Sequence, residues 1–210
     1  MFRKGALMLV CACAAAVSSA GVIVTPGGAF LLPDEELDFT GVTVEATRAE
    51  SFAIMNALGE IRATGTAISQ VQREADGALR FVYAIINDAT SIDAVNRFSV
   101  TNFAGWEVEA GQDLDNTFGP QKAKSVDRTS GGDTIGFAFT AEPVGLGTIA
   151  PGESSEVMWL RTRARDYRDG TLNVIDGGVD TVLSYAPVPE PATMATLAIG
   201  AVAMLRRRRK

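Results

Sequence analysis

Short runs of alternating apolar and polar residues, each stopped by a glycine- or aspartate-bearing turn, recur through most of this chain. A period of two places alternate side chains on opposite faces of a strand, and no comparable 3.6-residue period competes with it. Residues 41–50 alternate Val42, Val44 and Ala46 with Thr43, Glu45 and Thr47. Residues 61–74 and 78–87 flank Ala75-Asp76-Gly77, the composition of a hairpin turn. From Phe81 to Ile86 both faces are apolar, as in a central strand covered on both sides. Residues 95–103 turn Phe98 and Val100 inward, residues 106–109 form a further short strand, and residues 134–140 align Ile135, Phe137 and Phe139. Residues 156–164 set Val157 and Trp159 against Met158, Leu160 and Thr162. Residues 171–175 and 179–185 close a last hairpin around Asp176-Gly177-Gly178. Residues 27–38 read as an irregular lead-in, and residues 111–132 as the longest turn-rich loop. The pattern predicts an all-β body over residues 21–186, a single antiparallel β-sandwich of the Ig-like or jelly-roll kind.

That body has to hold itself together by its core. The chain has no histidine, and its two cysteines, Cys11 and Cys13, precede the body. A disulfide framework, a thiol nucleophile and a Cys/His zinc site are therefore excluded from residues 21–186. The net charge of −6 is unevenly spread, because seven of the 19 basic residues lie at the two ends and the body alone carries −12. Such a body repels nucleic acid and anionic lipid, so no nucleic-acid partner is expected.

The two ends read as addresses. Arg3 and Lys4 precede an apolar run at 5–17, and Ser18-Ser19-Ala20 offers the small residues that signal peptidase reads. Residues 1–20 are thus a signal peptide, cleaved between Ala20 and Gly21. Lipoprotein processing at Cys13 fits less well, since the apolar run before it is very short. At the other end Val188-Pro189-Glu190-Pro191 leads into fourteen uncharged residues, 192–205, and then Arg206, Arg207, Arg208, Arg209 and Lys210. A fourteen-residue helix rises about 21 Å against a hydrocarbon core of about 30 Å. It serves as a transient inner-membrane span with its arginines on the cytoplasmic side. A plain tail anchor behind a proline-rich linker is the alternative.

This order of elements resembles the PEP-CTERM sorting signal, also described as the ice-binding protein C-terminal domain. The resemblance rests on Pro189, Glu190 and Pro191, the apolar run and Arg206 to Arg209, and is confined to residues 188–210. It implies recognition by a membrane-embedded exosortase-type sorting enzyme, and then passage to the cell surface or extracellular matrix, in systems associated with exopolysaccharide. The prolines bar helix and hold an extended segment for a protease to grip. Ice binding does not carry over to the body, where no repeat or Thr-x-Thr ladder occurs.

Candidate chemistry in the body is sparse. A Ser-His-Asp triad is impossible without histidine, and no nucleophile elbow, phosphate loop or dinucleotide fingerprint occurs. Asp113, Asp115 and Asn116 place three oxygen-bearing side chains within four residues, a set able to hold calcium. Phe118 and Lys124 occupy positions at which an EF-hand needs glycine and glutamate, so an ordinary polar loop is the preferred reading and no cofactor is expected. Trp106 and Tyr167 are the candidates for stacking on sugar rings, while Tyr83 and Trp159 read as core. Arg161, Arg163, Arg165 and Arg168 form a basic cluster, with Asp166 and Asp169 nearby as partners. Glu107 and Glu109 share one face of their strand, read as a solvated one.

Three functions compete. The preferred one is a non-enzymatic structural or adhesive protein of the cell surface or matrix. A carbohydrate-binding module for exopolysaccharide is the alternative, and a glycan-active enzyme with paired carboxylates is the third.

Overall fold

The computed structural model describes residues 21–35, 40–113, 118–140 and 147–189. Among them every regular element is a strand. In chain order these are β1 (Val22–Ile23), β2 (Ala29–Leu31), β3 (Asp34–Glu35), β4 (Thr43–Met55), β5 (Ile61–Arg73), β6 (Leu79–Asn87) and β7 (Arg97–Val100). They continue with β8 (Glu109–Asp113), β9 (Ser125–Arg128), β10 (Ile135–Ala138), β11 (Met158–Thr162), β12 (Tyr167–Ile175) and β13 (Val179–Pro187). No helix among the described residues is long and apolar enough to cross a membrane. Residues 1–20 and 190–210, read above as signal peptide and span, lie outside the described residues.

Two sheets result. The first runs β1-β8-β11-β6-β5-β4, with β3 also on β8, and the second runs β13-β12-β7-β10-β9-β2. The pairs are antiparallel, apart from the two-residue parallel match of β3 with β8. One hydrophobic cluster draws on both sheets. Phe81, Tyr83, Ile85, Met158 and Leu160 come from the first, and Phe98, Phe137, Leu172 and Val174 from the second. Phe98 stacks on Phe137 at 4.9 Å and meets Tyr83 of the facing sheet at 6.1 Å. Strand β6 has apolar residues on both faces because it is central, with β11 and β5 as neighbours and a second small cluster, Val82 with Trp159, on its outer side.

Two loop expectations are corrected. The lead-in at 27–38 contains β2 and β3, and the loop at 111–132 contains the end of β8 and all of β9. These strands are too short to show a period. They form because sheet edges supply backbone partners, as where Gln112 donates its N–H to the Pro33 carbonyl at 3.2 Å. The strand expected at 106–109 starts only at Glu109, since Trp106 closes a turn onto the Phe103 carbonyl at 3.3 Å.

Strand order places the two ends of the body. Edge strand β4 lies against edge strand β13 in the opposite direction. Ala53 N–H donates to Asp180 at 2.7 Å, and Arg48 donates to the Ser184 carbonyl at 3.2 Å. The β5–β6 turn at Asp76 and the end of β13 at Pro187 therefore share one pole. The 55–61 and 176–178 turns share the other.

Candidate functional site

Strand β11 builds a site by simple alternation. Met158 and Leu160 point into the core, so Trp159 and Arg161 point out, on the far face of the first sheet. Register sets Arg161 directly opposite Arg80 of β6, a like-charge pair that is unfavourable by itself. Glu74, at the end of β5, resolves it. One of its carboxylate oxygens meets Arg80 at 2.6 Å and the other meets Arg161 at 2.5 Å. Arg161 also contacts Asp76 at 3.2 Å and Glu109 at 3.7 Å. Burial works against its charge, yet Glu74, Asp76 and Glu109 together hold the guanidinium above its ordinary pKa.

Around Arg161 lies a cleft of about 430 Å³ that Glu107, Arg163 and Arg165 also line. Arg163 and Arg165 are exposed. Arg165 donates to the Asp76 carbonyl, and its own carbonyl accepts from Arg73 at 3.0 Å. The turn beneath needs Gly77, whose φ of 85° is left-handed. Arg161, Arg163 and Arg165 thus gather at the cleft, whereas Arg168 lies on β12 of the other sheet and donates to Asn102 Oδ1 at 3.4 Å, and Asp169, expected as a partner of the cluster, pairs elsewhere. Asp169 pairs with Arg48 at 2.9 Å, and the Asp166 carbonyl accepts from Val188 at 3.1 Å. Glu107 is exposed as read, whereas Glu109 is half-buried against Arg161.

A second group escaped the sequence reading. Glu156, just before β11, is 1 % exposed, and neither carboxylate oxygen has a hydrogen-bond donor. Burial pushes its carboxyl up to about 7. Lys122, 3.8 Å away, opposes that rise, while Asp34 and Asp113 add to it. Lys122 is committed to Asp34 at 2.9 Å, and Asp34 also accepts from Gln112 at 2.8 Å. The only signal in the sequence was a glutamate beside a strand whose alternation runs both ways.

The sequence candidates fall in different places. Trp106 sits in the core at 9 % exposure, so its ring presents no open face to a sugar. Tyr167 is half-buried and packs edge-on against Tyr185 at 5.6 Å. Asp113 is buried at the end of β8, while Asp115 and Asn116 lie outside the described residues. No group of three acidic side chains among the described residues is arranged to hold a metal ion. Gly21 lies against Trp159 and Glu109, and Ala20 is outside the described residues. Of the sorting signal, Pro189 is described and exposed, whereas Glu190, Pro191, Arg206, Arg207, Arg208 and Arg209 are not described.

Comparison with known proteins identifies the C-terminal segment. Curated proteins give no match to the chain. A family model of the PEP-CTERM protein-sorting motif matches residues 187–210, starting at the last residue of β13. The motif implies processing by an exosortase-type sorting enzyme, and it marks the chain as similar, over those residues, to exported proteins that are sorted at their C terminus.

Proposed function

We propose that the chain is a non-enzymatic structural or adhesive protein of the cell surface or extracellular matrix. Its two sheets make a β-sandwich of the Ig-like or jelly-roll kind. Signal peptidase removes residues 1–20, residues 192–205 hold the chain briefly in the inner membrane, and the sorting enzyme then releases the body outward. The observation that supports a non-enzymatic body is that the acids meeting at Arg161 are engaged, which leaves exposed Glu107 as a single carboxylate at the cleft where two are needed. Glu74, Asp76 and Glu109 all engage Arg161, at 2.5, 3.2 and 3.7 Å. Glycoside hydrolysis needs one carboxyl that keeps a proton and another free to attack or to activate water. Carboxylates engaged by guanidinium have fewer lone pairs to offer to a water or a sugar. Fractionation with intact-mass analysis tests the delivery. The reading expects a chain shortened at both ends outside the cytoplasm, and full-length chain in the cytosol sinks it. Hydrolysis of a surface glycan by the purified body would sink the non-enzymatic reading.

A second reading, exopolysaccharide binding, is favoured by one feature. Arg163 and Arg165 are exposed at the rim of a cleft in which Asp76 and Glu109 already engage Arg161. Guanidinium is suited to carboxylate-bearing sugars. Replacing both arginines by alanine should abolish saturable retention on a polyuronate column, with Tm shifted by less than about 2 °C. Equal retention of both proteins removes this reading.

A further inference from the structure

We infer that the cleft edge at Gly21 and Glu109 is a binding site for the chain's own mature amino terminus, where the α-ammonium group freed by cleavage after Ala20 ion-pairs with the Glu109 carboxylate. The inference rests on the cleavage reading and adds to it a place for the new end.

Strand β1 is two residues long and borders β8, with Val22 opposite Ala110 and Ile23 opposite Glu109. Gly21 is the next position along this edge, and the space over its Cα is already filled. A Cβ built there would lie 2.5 Å from Trp159 Cη2, 2.6 Å from Glu109 Cγ and 2.9 Å from Glu109 Oε1. The α-nitrogen is two bonds from that point, so covalent geometry keeps it within about 5.5 Å of the same carboxylate oxygen. Trp159 cannot swing aside cheaply. It is 3 % exposed, packs with Val82, and also covers Gly111, where a Cβ would meet its ring at 2.4 Å. The fold therefore requires a residue without a side chain at 21, directly after the small residues that signal peptidase reads.

Cleavage changes what that nitrogen offers. In the uncut chain it is a neutral amide with one N–H. After cleavage it is a cation with three donors beside a carboxylate that is 12 % exposed. The two Glu109 oxygens then divide their work, since Oε2 faces Arg161 at 3.7 Å and Oε1 faces Gly21. The other charges at this cleft are Glu107 from the segment before β8, Arg161 from β11, Arg163 and Arg165 just beyond it, Asp76 from the β5–β6 turn and Arg80 from β6, and Glu74 bridges Arg80 and Arg161. The removal of the leader thus fastens a strand too short to fasten itself.

The test compares three chains spanning residues 21–210 in detergent: one starting with free Gly21, the same chain N-acetylated, and a Glu109→Gln variant with free Gly21. An α-amine paired in the folded state has a pKa above its unfolded range of about 7.7–8.0. Its stabilisation is complete below that range and is lost as pH rises through the folded value. The free chain should lose about 2–4 °C in Tm across that rise, relative to the acetylated chain. Nitrogen-15 shifts of Gly21 should report the raised value and its return to the ordinary range in Glu109→Gln. Should that variant fail to fold, the acetylated chain decides. An α-amine titrating in the ordinary range, with acetylation leaving the Tm profile unchanged, overturns the pairing. A native chain whose intact mass begins elsewhere than Gly21 overturns the cleavage reading beneath it.

Discussion

Arg128 shows how much of this fold depends on single polar side chains. It is 4 % exposed and donates to four carbonyls, those of Gly132 and Val24 at 2.9 Å and of Phe103 and Trp106 at 2.8 Å. Burial pulls its pKa below the usual arginine value. The group is retained because it satisfies three separate backbone segments at once. Arg128→Met should lower stability by roughly 3 kcal/mol or more in urea titration, since four buried acceptors lose their donor. Arg128→Lys should rescue little of it, because an ammonium lacks the planar fork. Glu156 predicts a pH effect of definite sign. Its carboxyl holds its proton up to about 7 in the folded state, against about 4.3 unfolded, so the native state binds the extra proton between those values. Stability from this group therefore falls as pH rises from about 4.3 to 7. Glu156→Gln should flatten that slope and gain up to roughly 3 kcal/mol at pH 8, measured by denaturation at pH 5 and pH 8.

At the level of elements, the longest pairing is β4 with β5, and its weak point is Gly65. Phe52 lies directly opposite, and a Cβ on Gly65 would stand 2.5 Å from that ring and 2.0 Å from the Ile86 carbonyl oxygen. An aromatic ring laid across a strand glycine fills the space the missing side chain leaves. Gly65→Ala should cost about 1–3 kcal/mol, read as a fall in the urea midpoint, because the ring or the β6 backbone has to move. The long strands were legible in the sequence because their alternation spans enough residues to define a face, as in β5, β6 and the β12–β13 hairpin. Strands β1, β2, β3 and β9 were not, since two to four residues carry no period and their pairing is decided by an edge elsewhere in the chain.

For the whole molecule, the placement of the tail matters most. The body passes into the sorting motif at Pro187, on the pole that carries the arginine cleft. Beyond that residue the described tail makes one backbone contact, from Val188 to the Asp166 carbonyl. Deleting residues 188–210 should leave the Tm of the body within about 2 °C of the parent chain, while maturation and final location are lost. Scanning calorimetry and cell fractionation check the two halves. What the residues determined unaided were the strand periods, the lack of cysteine and histidine in the body, and the motif from Pro189 onward, because each is local in the chain. The tertiary structure decided that Glu74, Asp76 and Glu109 meet Arg161, that Trp106 is core, and that Glu156 is sealed beside Lys122. Those contacts join residues separated by up to 87 positions, and an ion pair's partner follows from sheet order, which no local period encodes.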